Sequence, residues 1–366
     1  MKLIHCADLH LDSRMNANLD KEKARERKAE ILHTFERMVA YAEANQVDAI
    51  LIAGDLFDTR NISATTRNVV LHNIQNHPNM IYYYLNGNHD HNNFLSGLDQ
   101  IPENLKLFSD HWTSYEMGNV VIWGMEFTPE NVSTAHMALT PDMHRCNIVM
   151  LHGQEAESSS KDKAEVIPIR FYKNKGIDYL ALGHVHAYKS APLDARGVYC
   201  YPGCLEGRGF DECGEHGFVL LQVDEESGTF SHSFVPFAHR KLYTIRADLT
   251  GCITTSEMCE RIQARIKEEG CDSGSLLKIV LCGALDVECE KDISYLQSHF
   301  GSAFYYVKVS DETTLKIDET DYLLDPSLKG EYVMCVMRDA SLSEEDRKAI
   351  IRYGLLAIDG EEVDEA

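Results

Sequence analysis

Five apolar runs in the first half of the chain each stop at a residue able to bind a metal. LIHCA leads into D-L-H at Asp8 and His10, AILIAG into Asp55, IYYYLNG into Asn88 and His89, IVMLHG carries His152, and YLALGH leads to His184 and His186. Each run is apolar at nearly every position, as a strand buried on both faces requires. Such runs confine the chain to a layered α/β architecture, because strand ends on one sheet edge converge and open α/β sheets bind ligands there. In G-H-V-H, side chains alternate along an extended segment, so His184 and His186 point the same way. A lone D-x-H or H-x-H is more often ordinary surface or core chemistry. Five motifs in series, each after an apolar run, reverse that expectation.

The ligand types agree with one another chemically. Carboxylate, imidazole and amide oxygen together suit manganese, iron or zinc, whereas all-thiolate sets point to structural zinc and all-oxygen sets to calcium. Manganese is the first expectation. The glycines in G-D, G-N-H-D, H-G and G-H-V-H let the backbone turn beside a crowded centre.

Between the runs, Lys21 to Ala44 places Ile31, Leu32, Phe35, Met38 and Val39 at helical spacing, and Ala64 to Ile74 predicts a shorter helix. From Gly197, the segments GVYCYPG, GFVLLQVD and TFSHSFVPF predict strands that extend the same sheets. After residue 240, strands at KLYTIRAD, LLKIVLCG and FYYVKVS alternate with helices at Thr255 to Glu268 and Asp292 to Phe300. A last helix runs from Glu344 to Ile358, where Ser343 and Asp346 resemble a capping box and Ile350, Ile351, Leu355 and Ile358 need cover. The expected domains are residues 1–240, 241–335 and 336–366, the last a helix with an acidic tail.

The net charge of -23 sits awkwardly with nucleic-acid handling, since non-specific affinity comes from Lys and Arg neutralising phosphates. Residues 241–366 hold 26 acidic and 14 basic side chains, so neither part is basic. Affinity for DNA would have to come from local clusters, bound metal or a partner. Eleven cysteines, with no C-x-x-C pair, fit a reducing cytoplasm and read mostly as small buried apolar residues. No signal segment or membrane span is expected.

The series D-x-H, G-D, G-N-H-D, H-G and G-H-x-H resembles that of calcineurin-like metallophosphoesterases over most of residues 1–240. The resemblance implies a four-layer α/β fold, a β-sandwich flanked by helices, followed by a smaller C-terminal α+β capping domain. It implies two divalent ions, Mn2+ ahead of Fe2+ or Zn2+. Asp8, His10, Asp55 and His186 would hold one, and Asp55, Asn88, His152 and His184 the other. Such a pair activates a water between its members. His89 would be the catalytic residue, protonating or stabilising the leaving oxygen.

Within that superfamily, G-D-L-F-D-T from Gly54 and Y-P-G-C-L-E-G-R-G-F-D-E from Tyr201 are similar to SbcD-type DNA repair exonuclease subunits. Asp58 stands where related repair nucleases commonly carry histidine, so no role in handling DNA ends carries over to it. The resemblance implies a metal-dependent DNA phosphodiesterase, exonuclease or endonuclease, working with an SbcC-like SMC-family ATPase, and it is compatible with a homodimer. The final helix would dock on that ATPase or pack on its own domain. A small-molecule phosphodiesterase and a non-catalytic scaffold are the alternatives. Phosphate contacts are sought among Arg14, Arg60, Arg67, Arg170, Lys173 and Arg208, with Arg208 and Arg60 favoured because arginine pairs bidentately with phosphate. Cys200, Cys204 and Cys213 are read as bystanders.

Overall fold

A computed structural model of the chain describes residues 1–15, 19–58, 62–90, 92–95, 98, 100–156, 166–224, 226, 228–286, 289–316, 322 and 325–359. The chain divides into two compact units, Met1–Lys241 and Leu242–Ala366.

In the first unit the strands are β1 (Lys2–Cys6), β2 (Ala49–Ala53), β3 (Ile81–Leu85), β4 (Leu105–Leu107), β5 (Thr113–Met117), β6 (Val120–Gly124) and β7 (Cys146–His152). They continue as β8 (Gln154–Ala156), β9 (Val166–Pro168), β10 (Tyr179–Gly183), β11 (Lys189–Pro192), β12 (Val198–Tyr201), β13 (Gly217–Val223) and β14 (Phe230–Pro236). Two six-stranded sheets form, in the orders β14-β13-β1-β2-β3-β4 and β11-β12-β10-β7-β6-β5. β1, β2 and β3 run parallel in one sheet, as do β6, β7, β10 and β12 in the other. The late hairpins lengthen both sheets.

Alternation along each strand divides the core into layers. Leu3 on β1 and Ala7 just after it face the second sheet, clustering with Ile148, Met150 and Ala181, while Ile4 and Cys6 face outward. The outward side of the first sheet is covered by α1 (Lys21–Ala44), through Ile31, Phe35, Met38 and Val39, and by α2 (Ala64–Asn76), through Val70 and Ile74. Val149, Leu151, Leu180 and Leu182 on the far side of the second sheet pack with Met125, Leu139, Ile169 and Tyr172. The result is a mixed α/β unit with its sheets flanked by helices. Asp20 caps α1 by accepting from Lys23 N, and Ser63 caps α2 through Thr66 N.

The second unit has a three-stranded parallel sheet, β15 (Leu242–Asp248), β16 (Leu276–Cys282) and β18 (Tyr306–Asp311), plus a short pair of β17 (Ala284–Leu285) and β19 (Thr314–Leu315). Helix Thr255–Glu269 begins with a full capping box between Thr254 and Glu257. Helix Leu328–Met337 is absent from the sequence reading. It packs Val333 and Val336 against Ile351 and Leu355 of the final helix, Glu344–Asp359. Of the apolar residues expected to be covered there, Ile351 and Leu355 are fully buried, whereas Ile350 is 37% exposed. Ser343 Oγ accepts from Asp346 N, and Asp346 answers the Ser343 hydroxyl.

All eleven cysteines are free, but only five are buried, fewer than the composition suggested. The half-buried ones include Cys259, Cys271, Cys282 and Cys289, all in the second unit, whose smaller core encloses less. Among the described residues, no helix is long and apolar enough to cross a membrane.

Candidate metal centre

Every expected ligand lies just past, or at the end of, a strand: Asp8 and His10 after β1, Asp55 after β2, Asn88 and His89 after β3, His152 closing β7, and His184 and His186 after β10. The backbone there is strained. Asp8, His10, Asp55 and His184 hold φ values of 52°, 46°, 51° and 98°, each costing roughly 1–3 kcal/mol where a side chain is present. Hydrogen bonds from Asp8 N to Gly54 O, from His10 N to Asp55 O and from His184 N to the Asp8 carboxylate hold these turns in place. Two glycines are required by space. A Cβ on Gly54, at φ 92°, would lie 2.1 Å from His152 Nδ1, and one on Gly183 would lie 1.9 Å from Ala53 O.

The ligand atoms gather into two adjoining groups. In one, Asp8, His10 and His186 place ligand atoms within 4.8 Å of one another, and the Nε2 atoms of the two histidines face each other at 3.2 Å. In the other, Asp8, Asp55 and His152 do the same. His152 Nε2 lies 2.9 Å from Asn88 Oδ1 and 3.4 Å from Asp55 Oδ2. Asp55 Oδ2 is also 3.8 Å from His10 Nε2, so its carboxylate stands between the groups. The His184 ring meets the His152 ring edge-on, with centroids 5.4 Å apart. His89 stands at the rim, its side chain 47% exposed and its Nδ1 3.5 Å from Asp58 Oδ1.

Behind the ligands the histidines are oriented by their other nitrogens. His152 Nδ1 donates to Ala53 O at 2.9 Å. His186 Nδ1 lies 2.6 Å from Glu212 Oε1, and His10 Nδ1 lies 3.2 Å from Asp58 Oδ1. Arg208 joins the two acids, with Nη2 2.9 Å from Glu212 Oε1 and Nη1 3.5 Å from Asp58 Oδ1. Asp90 ties the Asp55 and Asn88 loops together by accepting from Leu56 N, Phe57 N and Gly87 N.

The electrostatics follow from this crowding. Burial raises the Asp8 pKa against the pull of His152, and the neighbouring Asp55 adds to the rise. Burial would also raise Asp55, but His152 and His10 outweigh it and hold the carboxyl well below its usual range. For His152, burial disfavours the cation, yet Asp55 and Asp8 carry its pKa up to about 9. Glu212 raises His186 through its hydrogen bond, while burial lowers His10. Asp8 and Asp55 are 0% and 1% exposed, and two buried acids this close, surrounded by imidazole nitrogens, make a donor set that a divalent cation fits.

The remaining expectations scatter. Arg60 lies outside the described residues. Arg14 and Lys173 are exposed, Arg170 is exposed and stacks over Phe171 at 4.7 Å, and Arg67 donates Nε to Phe94 O. Arg208 is committed to the two acids, and its Nη2 also lies 3.2 Å from His186 Nδ1. Sequence reasoning gave no role to Asp58, Asp90 or Glu212. Glu212 lay in the segment already singled out, but its partner is His186, 26 residues away, and no local signal links the two.

Residues 1–188 match the calcineurin-like phosphoesterase family. A Bacillus subtilis protein, the uncharacterized metallophosphoesterase YhaO, is 28% identical over 64% of this chain and 60% of its own length. The DNA double-strand break repair protein Mre11 of Saccharolobus solfataricus is 24% identical over 96% of this chain and 94% of its own. Among solved structures, TT1561 of Thermus thermophilus superposes with a TM-score of 0.43 at 12% identity, covering 64% of this chain and 98% of that one.

Proposed function

The chain belongs to the calcineurin-like phosphoesterase family, and on that premise we propose that it is a metal-dependent nuclease hydrolysing DNA phosphodiester bonds in double-strand break repair. The observation that carries DNA over other phosphoesters is the extent of one likeness: a protein named for double-strand break repair matches 96% of this chain, so the similarity runs on through the second unit. A minimal phosphodiesterase needs little beyond the first.

In this reading Asp8, His10, Asp55 and His186 hold one divalent ion and Asp55, Asn88, His152 and His184 the other, with manganese ahead of iron or zinc. When bound, the pair would supply Lewis-acid charge to the phosphoryl oxygens and acidify a water. The chain does the rest. Glu212 and Ala53 O engage the Nδ1 atoms of His186 and His152, and Asp58 Oδ1 stands 3.2 Å from His10 Nδ1, which leaves each Nε2 turned inward. His89 presents its Nδ1 to Asp58, so its Nε2 is the atom that hands a proton to the leaving oxygen. Arg208 acts from behind the histidines, and Arg60 is the proposed phosphate contact. An SbcC-like ATPase is the proposed partner. Its seat is the terminal helical pair, where Leu328, Ile350 and Tyr353 are 70%, 37% and 41% exposed.

The test is a substrate panel in Mn2+, comparing duplex DNA, single-stranded DNA and cyclic nucleotides. Cleavage of DNA is expected, and turnover of cyclic nucleotides alone would refute the reading. His89→Ala should keep two metals per chain by elemental analysis and lower turnover about 100-fold. Loss of metal from that variant would make His89 a ligand instead.

A further inference from the structure

The segment from Gly203 to His216 closes on itself behind one ligand group. Cys204 Sγ, fully buried, lies 3.2 Å from His216 Nδ1, and His216 Nε2 lies 2.7 Å from Glu212 O. Arg208 N donates to Glu212 Oε2 at 2.7 Å. The segment is fastened to α1 by Arg27, which is 0% exposed and donates Nη2 to Glu206 Oε2 at 3.1 Å and to Gly207 O at 3.0 Å. Thr34 Oγ1 donates to Glu206 Oε1 at 2.7 Å. What this anchored segment presents to the centre is Glu212 on His186 and Arg208 between Glu212 and Asp58.

Resting on the metal assignment above, we propose that Glu212 and Arg208 are positioning residues for the Asp8–His10–His186 ion alone. An ionised carboxylate can only accept, so Glu212 fixes the proton of His186 on Nδ1 and leaves the Nε2 lone pair for metal. Arg208 can only donate. By spanning Glu212 and Asp58 it couples the orientation of His186 to that of His10, and it compensates two half-buried acids that would otherwise repel. Its Nε is buried and without a partner among the described residues, so the guanidinium is turned into the protein. In the Asp55–Asn88–His152 group, His152 Nδ1 leans instead on the Ala53 carbonyl.

The test uses the full chain stripped of metal, with Mn2+ titrated in, bound ions counted by elemental analysis and followed by electron paramagnetic resonance. Wild type should show two sites. Glu212→Ala and Arg208→Ala should each weaken one site by about 10- to 100-fold and leave the other unchanged, the usual scale for groups that orient a ligand. Glu212→Gln, whose amide oxygen still accepts from Nδ1, should recover most of the loss, and Arg208→Ala carries the test if Glu212→Ala fails to fold. Two unchanged sites, or both weakened alike, would overturn the proposal while leaving the phosphoesterase reading intact. A wild type that binds no Mn2+ would overturn the reading beneath it.

Discussion

The two ligand groups, Asp8–His10–His186 and Asp8–Asp55–His152, adjoin across the Asp55 carboxylate but are supported differently. Behind Asp8, His10 and His186 stand side chains drawn from distant segments: Asp58, Glu212, Arg208 and, further back, Arg27. Behind His152 stands the backbone carbonyl of Ala53, fixed by the β2 strand itself. Support from backbone survives substitution of any neighbour that leaves the strand in place. Support from side chains can be adjusted or lost one residue at a time. On the proposed metal assignment, a half-site supported by backbone stands beside one supported by side chains.

The largest effect should come from Asp55, the proposed bridge between the two ions. Asp55→Ala is expected to lose both metals and all measurable hydrolysis, whereas His10→Ala should lose one metal. Two metals per chain in Asp55→Ala, counted by elemental analysis, would dissolve the division into halves that share a bridge.

Arg27→Ala tests the far end of the tunable side. It leaves Glu206, 2% exposed, without its cation, and removing one partner of a buried pair typically costs about 3–5 kcal/mol. The loss should appear as a lower denaturant midpoint. A change under about 1 kcal/mol would mean that the segment bearing Glu212 is held by something other than this pair.

The smallest effect concerns His5 on β1, the strand that delivers Asp8 and His10. His5 is 0% exposed with Nδ1 2.9 Å from the Tyr179 hydroxyl, and burial pushes its pKa down to about 3. Between about pH 6.5 and 3 the unfolded chain takes up a proton that the folded chain refuses, so stability is full above that window and declines as pH falls through it. At pH 5 the loss reaches about 2 kcal/mol. Urea unfolding at pH 7 and pH 5 should show a smaller drop in His5→Gln than in wild type. Equal drops would remove His5 from the account.

Much of this molecule was written locally. The runs that became β1, β2, β3, β7 and β10 were legible because apolar, strand-favouring residues set an extended backbone wherever they are buried, and the polar residue after each run must then emerge at the sheet edge. Helix α1 was legible for the same kind of reason, its 3.6-residue period matching one buried face. Helix Leu328–Met337 was not. Gly330 in its first turn and the β-branched Val333 and Val336 weaken its intrinsic preference, and packing against Ile351 and Leu355 decides the matter.

In the centre, the sequence by itself determined which chemical groups are offered and at which strand ends. Tertiary structure alone decided which groups meet. His10 and His186 are 176 residues apart, and Arg27 and Glu206 are 179 apart. The left-handed turns at Asp8, His10 and Asp55 are held by hydrogen bonds from neighbouring strand ends. Pairings over such separations depend on how two sheets stack and where a late loop folds back. That is a property of packing, and no window of sequence contains it.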